Sequence, residues 1–303
     1  MNNGPIKIAA VGCVDVARLA AWARLPGVQI EAVCDAAGAL AARTSALFPG
    51  CSAFTTVDDL VAAGPYDLVD VSVSASQQFE ASALCIKSKC NVICSVPFTG
   101  TSALAQLVGG AASRCDRLFV PSLPLRFHPL IQTLKQLVDD DELGTVALAE
   151  VFLSAGKPAT PPAHGASLIS NLQGVDLARY IAGELTLVKF AKCITDPTWE
   201  VDDTASLLLE SSKGIVTVTS RWAREACGNR VSVSGSAGAA IIDLDAAVMR
   251  YSTASWPEWR TSHASDARPL WEMSTQIAEA LKSDRALPVT FNDGYEALRL
   301  CGY

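Results

Sequence analysis

The earliest residues whose types and spacing suggest chemistry are Val11-Gly12-Cys13-Val14-Asp15-Val16-Ala17, which end one apolar run and open a helical pattern. At such a strand-to-helix turn a G-x-G-x-x-G fingerprint cradles the pyrophosphate of a dinucleotide. Its first glycine makes the turn, the second admits the phosphates, and the third lets helix pack on strand. Gly12 fills the first place, Val14 the second and Ala17 the third. Alanine adds only a methyl group to the packing. Val14 sets a branched side chain where phosphates meet backbone, and Asp15 adds negative charge at a helix N-terminus that otherwise attracts them. Asp35 closes the next apolar run, at roughly the 20-residue offset of the carboxylate that holds the adenosine ribose. Ala36 and Ala37 follow it, with no arginine for a 2′-phosphate, so the pattern selects NAD over NADP. Gly12, Cys13, Val14 and Asp35 are the candidate cofactor contacts; an ordinary solvated strand-end carboxylate is the plainer reading of Asp35.

The elements that must hold these residues alternate. Strand-like runs at 6–11, 28–34, 68–73, 92–94 and 118–120 are separated by helical patterns at 17–23, 37–48, 57–62, 79–87 and 102–113. Strands alternating with helices predict right-handed βαβ units and a parallel sheet. Beyond Pro129 a helix over 130–138 precedes a strand at 147–153 and a helix over 168–181. Strand-like segments then succeed one another from 187 to 244, divided by Ser212-Lys213-Gly214 and Gly235-Ser236, as in antiparallel hairpins. Helices at 270–282 and 294–300 complete the pattern. The expected fold is thus α/β: a Rossmann-type parallel sheet over 1–123, then an α+β domain over 124–303 with a mostly antiparallel sheet. Helices on one face of that second sheet would leave its other face uncovered, which predicts a homo-oligomer formed through it.

Composition narrows the class. Half of the 303 residues are apolar and 18% are charged, a balance that suits buried cores and excludes disorder. A formal charge of −7 with no basic stripe argues against nucleic acid as partner, and no apolar run approaches the roughly 18 residues of a membrane span. The opening Met1-Asn2-Asn3-Gly4-Pro5 has no basic cluster, so no export signal is expected. Ten scattered cysteines without a C-x-x-C pair, together with three histidines, assemble no zinc signature. They read as structural thiols in a reducing cytoplasm.

Several short motifs, in order and spacing, resemble the glucose-fructose oxidoreductase/inositol dehydrogenase (Gfo/Idh/MocA) family. They are Phe54-Thr55-Thr56-Val57-Asp58-Asp59-Leu60, Asp67-Leu68-Val69, Leu125-Arg126-Phe127-His128-Pro129, Leu143-Gly144-Thr145-Val146, Asp176-Leu177-Ala178-Arg179-Tyr180 and Val201-Asp202-Asp203-Thr204-Ala205. The resemblance implies hydride transfer between NAD(P) and a sugar or polyol. It also implies a dinucleotide lying against Ser72, Ser74, Gln77, Ser95 and Pro97. The family's E-K-P signature, whose lysine handles the reacting oxygen's proton, falls on Ser95-Val96-Pro97. The helix motif D-x-x-x-H-x-x-D falls on Ile169, Gln173 and Asp176. Gln78 stands for a usual histidine and Ser74 for a proline. Valine carries no proton, and Gln173 hydrogen-bonds without titrating; loss of acid–base help alone costs about 10²–10⁴ in rate.

Lys157 and His164, in the segment before the Gln173 helix, are candidate replacements, with a solvated loop as the alternative. Arg126 is a candidate clamp for an anionic substrate and Asp176 a retained carboxylate, unless both serve packing. The Trp-bearing stretch Ser255–Arg260 either lines a pocket or caps a sheet. Three functions follow. The first is a divergent family member performing a non-standard reaction, redox or not, on a small polar metabolite. The second is a ligand-sensing or regulatory protein without catalysis, and the third an NAD-dependent sugar or polyol dehydrogenase with a replacement acid.

Overall fold

The computed structural model describes residues 4–160, 162–283 and 285–303; Met1–Asn3, on which the expectation about export partly rests, lie outside the described residues. The first unit comprises Met1–Leu123 with Leu270–Tyr295 and the second Pro124–Pro269 with Glu296–Tyr303.

In the first unit β1 (Ile6–Val11), α1 (Val16–Ala23), β2 (Val28–Cys34), α2 (Gly38–Ser45), β3 (Ser52–Phe54), α3 (Val57–Ala62) and β4 (Leu68–Val71) follow in order. Next come α4 (Ala75–Lys87), β5 (Asn91–Cys94), α5 (Ser102–Arg114) and β6 (Phe119–Pro121). The six strands form a parallel sheet in the order β3-β2-β1-β4-β5-β6. β1 and β4 are largely buried on both faces, as central parallel strands are, and the one buried carboxylate on β4, Asp70, is held by Arg18 Nε–H and Trp22 Nε1–H at 2.7 Å each. Strand order reverses between β1 and β4, and in such sheets ligands bind beside that switch point. β3, three residues long, carries no periodic signal of its own and was not foreseen.

The second unit opens with a 3-10 turn (Pro124–Phe127), then α6 (Pro129–Asp139), β7 (Val146–Gly156), α7 (Ala166–Ile169) and α8 (Asn171–Ala182). β8 (Thr186–Cys193), β9 (Thr204–Glu210), β10 (Ile215–Ala223), β11 (Arg230–Gly235), β12 (Ala239–Asp243), β13 (Val248–Ser252) and β14 (Arg260–His263) complete it. The eight-stranded sheet runs β14-β13-β12-β11-β7-β10-β9-β8, antiparallel except where β7 lies parallel to β10. The helix expected over 168–181 breaks at Ser170 into α7 and α8. The edge strand β14 reads Arg-Thr-Ser-His, with no apolar alternation to announce it.

One face of this sheet buries Ala205, Leu207, Leu209, Val216 and Val218, with α8 packed on β7 and β10 and α7 on β9. Gly174 permits that approach, since a Cβ there would stand 2.7 Å from Val218 Cγ1. The other face leaves Leu148, Leu208, Ile215 and Ile241 exposed.

The division into 1–123 and 124–303 needs correction after residue 269. α9 (Pro269–Ser283) and the start of α10 (Phe291–Leu300) belong with the first unit. Packing explains the return. Met273 is buried with its sulfur 3.8 Å from Ser122 Oγ, and the Phe291 ring meets Phe98 and Phe119 edge-on at 6.4 and 6.1 Å. Apolar residues of these helices pack against Phe98, Phe119 and Ser122 at β6 and its neighbours, a long-range choice that helical periodicity does not encode.

Candidate functional site

The first cleft lies at the switch point, has a volume of about 500 Å³, and is lined by Gly12, Val14, Asp35, Ser72, Ser74 and Gln77 among others. Gly12 sits at φ +96°, and a Cβ would fall 2.1 Å from Ser72 O, so only glycine makes this turn. Asp35 is anchored, not merely solvated. Its Oδ2 accepts from Cys13 N–H (3.0 Å) and its Oδ1 from Ala37 N–H (2.9 Å), which ties the end of β2 to the fingerprint loop. Each carboxylate oxygen keeps a second lone pair for a ribose hydroxyl.

Val14 stands on the rim with its side chain 83% exposed, and Asp15 caps α1 by accepting from Arg18 N–H. Asp35, Thr55, Val57 and Asp58 line the end of the cleft where an adenosine would lie, while the turn after β1 keeps its glycine hinge but carries Val14 and a carboxylate. No basic side chain lines this cleft among the described residues, whereas Asp35, Asp58 and Glu80 do, which disfavours a 2′-phosphate. Cys13 itself is fully buried and presents backbone only.

Ser95 and Pro97 do not line this cleft. Beside them the buried Gln78 works as a brace: Nε2–H donates to Val73 O (3.1 Å) and Ser95 Oγ (3.0 Å), and Oε1 accepts from the Cys94 thiol. Burial pushes that thiol up to about 12. Gln78 thus spends its amide inside the protein, and Val96 is partly buried between Ser95 and Pro97.

In the second unit a cavity of about 630 Å³ is lined by Gln173, Ser170, His128, Trp222 and Asn229 within apolar walls that include Leu125, Leu153 and Ile169. α8 positions the first two. Trp222 Nε1–H on β10 donates to Ser170 Oγ (3.0 Å), and Asn171 Oδ1 accepts from Ser220 Oγ–H (2.5 Å). Asp245, the one carboxylate among the described lining residues, accepts from Asn229 N–H (2.9 Å) and Nδ2–H (2.8 Å). His128 caps α6: its Nδ1 accepts from Leu130 N–H at 3.2 Å, and burial lowers its pKa, which keeps the ring neutral.

The five catalytic candidates do not converge. Gln173 faces the cavity. Arg126 and Asp176 form a buried bidentate ion pair (Nε–H to Oδ2 at 2.8 Å, Nη2–H to Oδ1), with the guanidinium 5.1 Å from the Tyr180 ring centroid. Arg126 thereby spends its fork on Asp176 and on clamping the 3-10 turn to α8, not on an anionic ligand.

Lys157 pairs with Asp196 and lies 4.1 Å over the Trp199 ring, and its ammonium holds the Asp196 carboxyl well below the usual carboxylate range. His164 lines a separate depression of about 520 Å³ with Lys192, Glu200, Asp202 and Tyr303. There Asp202 is occupied by Ser167 N–H (2.7 Å) and Oγ–H (2.8 Å). Trp256 and Trp259 line none of these cavities; they stack under Arg260 (3.6 Å) and Arg250 (5.5 Å) beside the sheet edge. Sequence reasoning missed His128, although a histidine directly before a proline at a helix start is a legible capping position.

A parallel sheet with an anchored carboxylate at its switch-point cleft, followed in the chain by an open mixed sheet with a polar cavity, is the architecture of Rossmann-type oxidoreductases. The family models agree. Residues 6–121 match the oxidoreductase family with an NAD-binding Rossmann fold and residues 131–241 match the GFO/IDH/MocA C-terminal domain, and the chain belongs to this family.

A D-apiose dehydrogenase of Paraburkholderia graminis is 27% identical over 259 residues, which span 79% of this chain and 68% of the relative. Another of the same name from Rhizobium rhizogenes is 21% identical over 292 residues, 84% of each. Among solved structures, an oxidoreductase from Agrobacterium radiobacter in complex with NAD+, L-tartaric acid and magnesium superposes with a TM-score of 0.86 at 17% identity, covering 98% of this chain and 94% of that one. A levoglucosan dehydrogenase in complex with NADH and levoglucosan gives 0.87 at 15% identity, covering 98% and 95%. No helix among the described residues is long and apolar enough to cross a membrane.

Proposed function

We propose that this chain is a divergent member of its family that binds NAD at the Gly12–Asp35 cleft and a small uncharged polyhydroxylated ligand in the Gln173 cavity, without lysine-dependent dehydrogenation. The carrying observation is the character of that cavity. Its polar groups are neutral amide, hydroxyl and imidazole, its carboxylate is already bonded to Asn229, and Lys157, His164 and Arg126 are engaged elsewhere or absent from its walls. Such a lining suits hydroxyl and carbonyl oxygens and penalises an ionised substrate.

NAD, when bound, supplies a hydride acceptor or donor. The chain's contribution is to orient the ligand through Gln173 and to hold the ribose through Asp35. No titratable group sits at position 96. The names of the relatives, D-apiose and levoglucosan dehydrogenases, support a sugar as the ligand class. Association of copies through the exposed face of the second sheet and a cytoplasmic setting complete the reading.

Calorimetry with NAD+ and NADP+ tests the first half. Native chain is expected to bind NAD+ in preference to NADP+, with Val14→Gly tightening the interaction. No dinucleotide binding by either form overturns it. Turnover of D-apiose or levoglucosan with NAD+ is expected to be weak in the native chain and raised by Val96→Lys. Robust native turnover, unaffected by changes at Lys157 or His164, defeats the claim of a non-standard site.

A further inference from the structure

We propose that His128 is the ligand-gripping donor of the second unit's cavity, presenting an imidazole whose Nε2–H binds an oxygen of the ligand. The inference deepens the functional reading above and rests on it for the ligand class.

Three observations converge on this residue. Leu130 N–H donates to Nδ1, so that nitrogen carries a lone pair and the ring proton resides on Nε2. The side chain is only 5% exposed, yet it lines the cavity together with Gln173 and Ser170. Among the described residues Nε2 has no protein partner, and it is not one of the wholly enclosed orphan atoms, so it reaches space through the cavity. A polar atom so placed, in walls that include Leu125, Leu153 and Ile169, finds its hydrogen bond in whatever fills the cavity.

The same geometry fixes the chemistry. While Nδ1 accepts the cap hydrogen bond of α6 it holds no proton, so Nε2 keeps its own and does not act as a base. His128 is a fixed donor toward a hydroxyl or carbonyl oxygen, able to stabilise negative charge developing there but unable to accept a proton. Gln173 complements it with an amide that both donates and accepts.

His128→Asn separates the two roles. Asparagine's carboxamide oxygen still caps α6, because asparagine is a preferred N-cap residue, but its side chain cannot reach where Nε2–H stood. In ¹⁵N-histidine-labelled protein, with His128 assigned by its loss in His128→Asn, the resonances are expected to show Nδ1 pyridine-like and Nε2 protonated from weakly acidic to weakly alkaline pH. A protonated Nδ1 overturns the proposal whether or not any ligand is known.

NAD-loaded protein is then titrated with D-apiose, D-xylose and levoglucosan. For whichever sugar binds, His128→Asn is expected to weaken binding about tenfold, the worth of one hydrogen bond, at an unchanged melting temperature. Unchanged affinity overturns the donor role. If no sugar binds the native chain, the sugar reading fails while the tautomer still decides the donor claim.

Discussion

At the scale of the residue, the candidate site is governed by what each polar group already holds. In the proposed reading Asp35 serves the loop and the ribose at once. Asp35→Ala therefore removes both the Cys13 anchor and the hydroxyl acceptor, and NAD affinity is expected to fall by about tenfold or more, read by calorimetry. Arg126 and Asp176 show the opposite economy, with all visible chemistry turned inward. Removing one partner strands a buried charge, so Arg126→Ala is expected to cost about 3–5 kcal/mol in urea unfolding, and Arg126→Ala with Asp176→Ala less than the sum. His128 adds a pH signature. Its folded pKa lies below its unfolded value of about 6.5, so the unfolded chain binds the extra proton first. Stability contributed by the neutral ring is complete above that pH and lost as pH falls through it toward the lower folded value. Urea midpoints measured between about pH 7.5 and 5.5 should decline more steeply for native chain than for His128→Asn.

At the scale of the element, α8 decides where Gln173 points, and a glycine decides where α8 lies. Alanine is favoured over glycine by about 1 kcal/mol within a helix. At position 174, however, the added Cβ meets Val218, which is fully buried and short, so the helix must lift from β10. Overpacking of this kind costs about 1–3 kcal/mol, and Gly174→Ala is expected to lower the urea midpoint and weaken ligand binding together. An unchanged midpoint with intact binding would show that α8 tolerates the shift. This contact also marks the limit of the sequence. Strand-to-helix alternation made the parallel sheet legible, and Gly12 and Asp35 disclosed their turn, because those signals are local. The pairing of β7 with β10, the capture of Arg126 by Asp176 and of Lys157 by Asp196, and the service of Gln78 as a brace are long-range choices. Spacing along the chain does not carry them. Lys157 looked free in sequence only because its partner stands 39 residues away.

At the scale of the molecule, the second sheet presents an unsolved surface. Along β9 and β10 alternate residues face away from α7 and α8, and this outer face carries Leu208 and Ile215 with Leu148 on β7 and Ile241 on β12, all exposed. Between them lie Thr217, Thr219 and Ser206, whose hydroxyls need no charge partner, and one carboxylate, Glu150, which accepts from Ser232 Oγ–H at 2.8 Å; Ser206 and Thr219 bond each other at the same distance. An antiparallel sheet can face water on one side, but then its outer residues are dominantly charged or polar. Here the apolar members recur on four strands, three of them adjacent (β7, β10, β9) and the fourth, β12, beyond β11, the pattern expected of a surface that meets another of its kind, and a two-fold pairing would place like patches together. Charge introduced at the centre is the direct test. Leu208→Glu with Ile215→Glu leaves the inward residues Leu207 and Val216 untouched, so each unit should fold as before by circular dichroism. Sedimentation velocity should then show native chain as a dimer or larger assembly and the double variant as a monomer. A native chain that sediments as a monomer at all concentrations would leave the face to water and withdraw the oligomer from the reading, without touching either cleft.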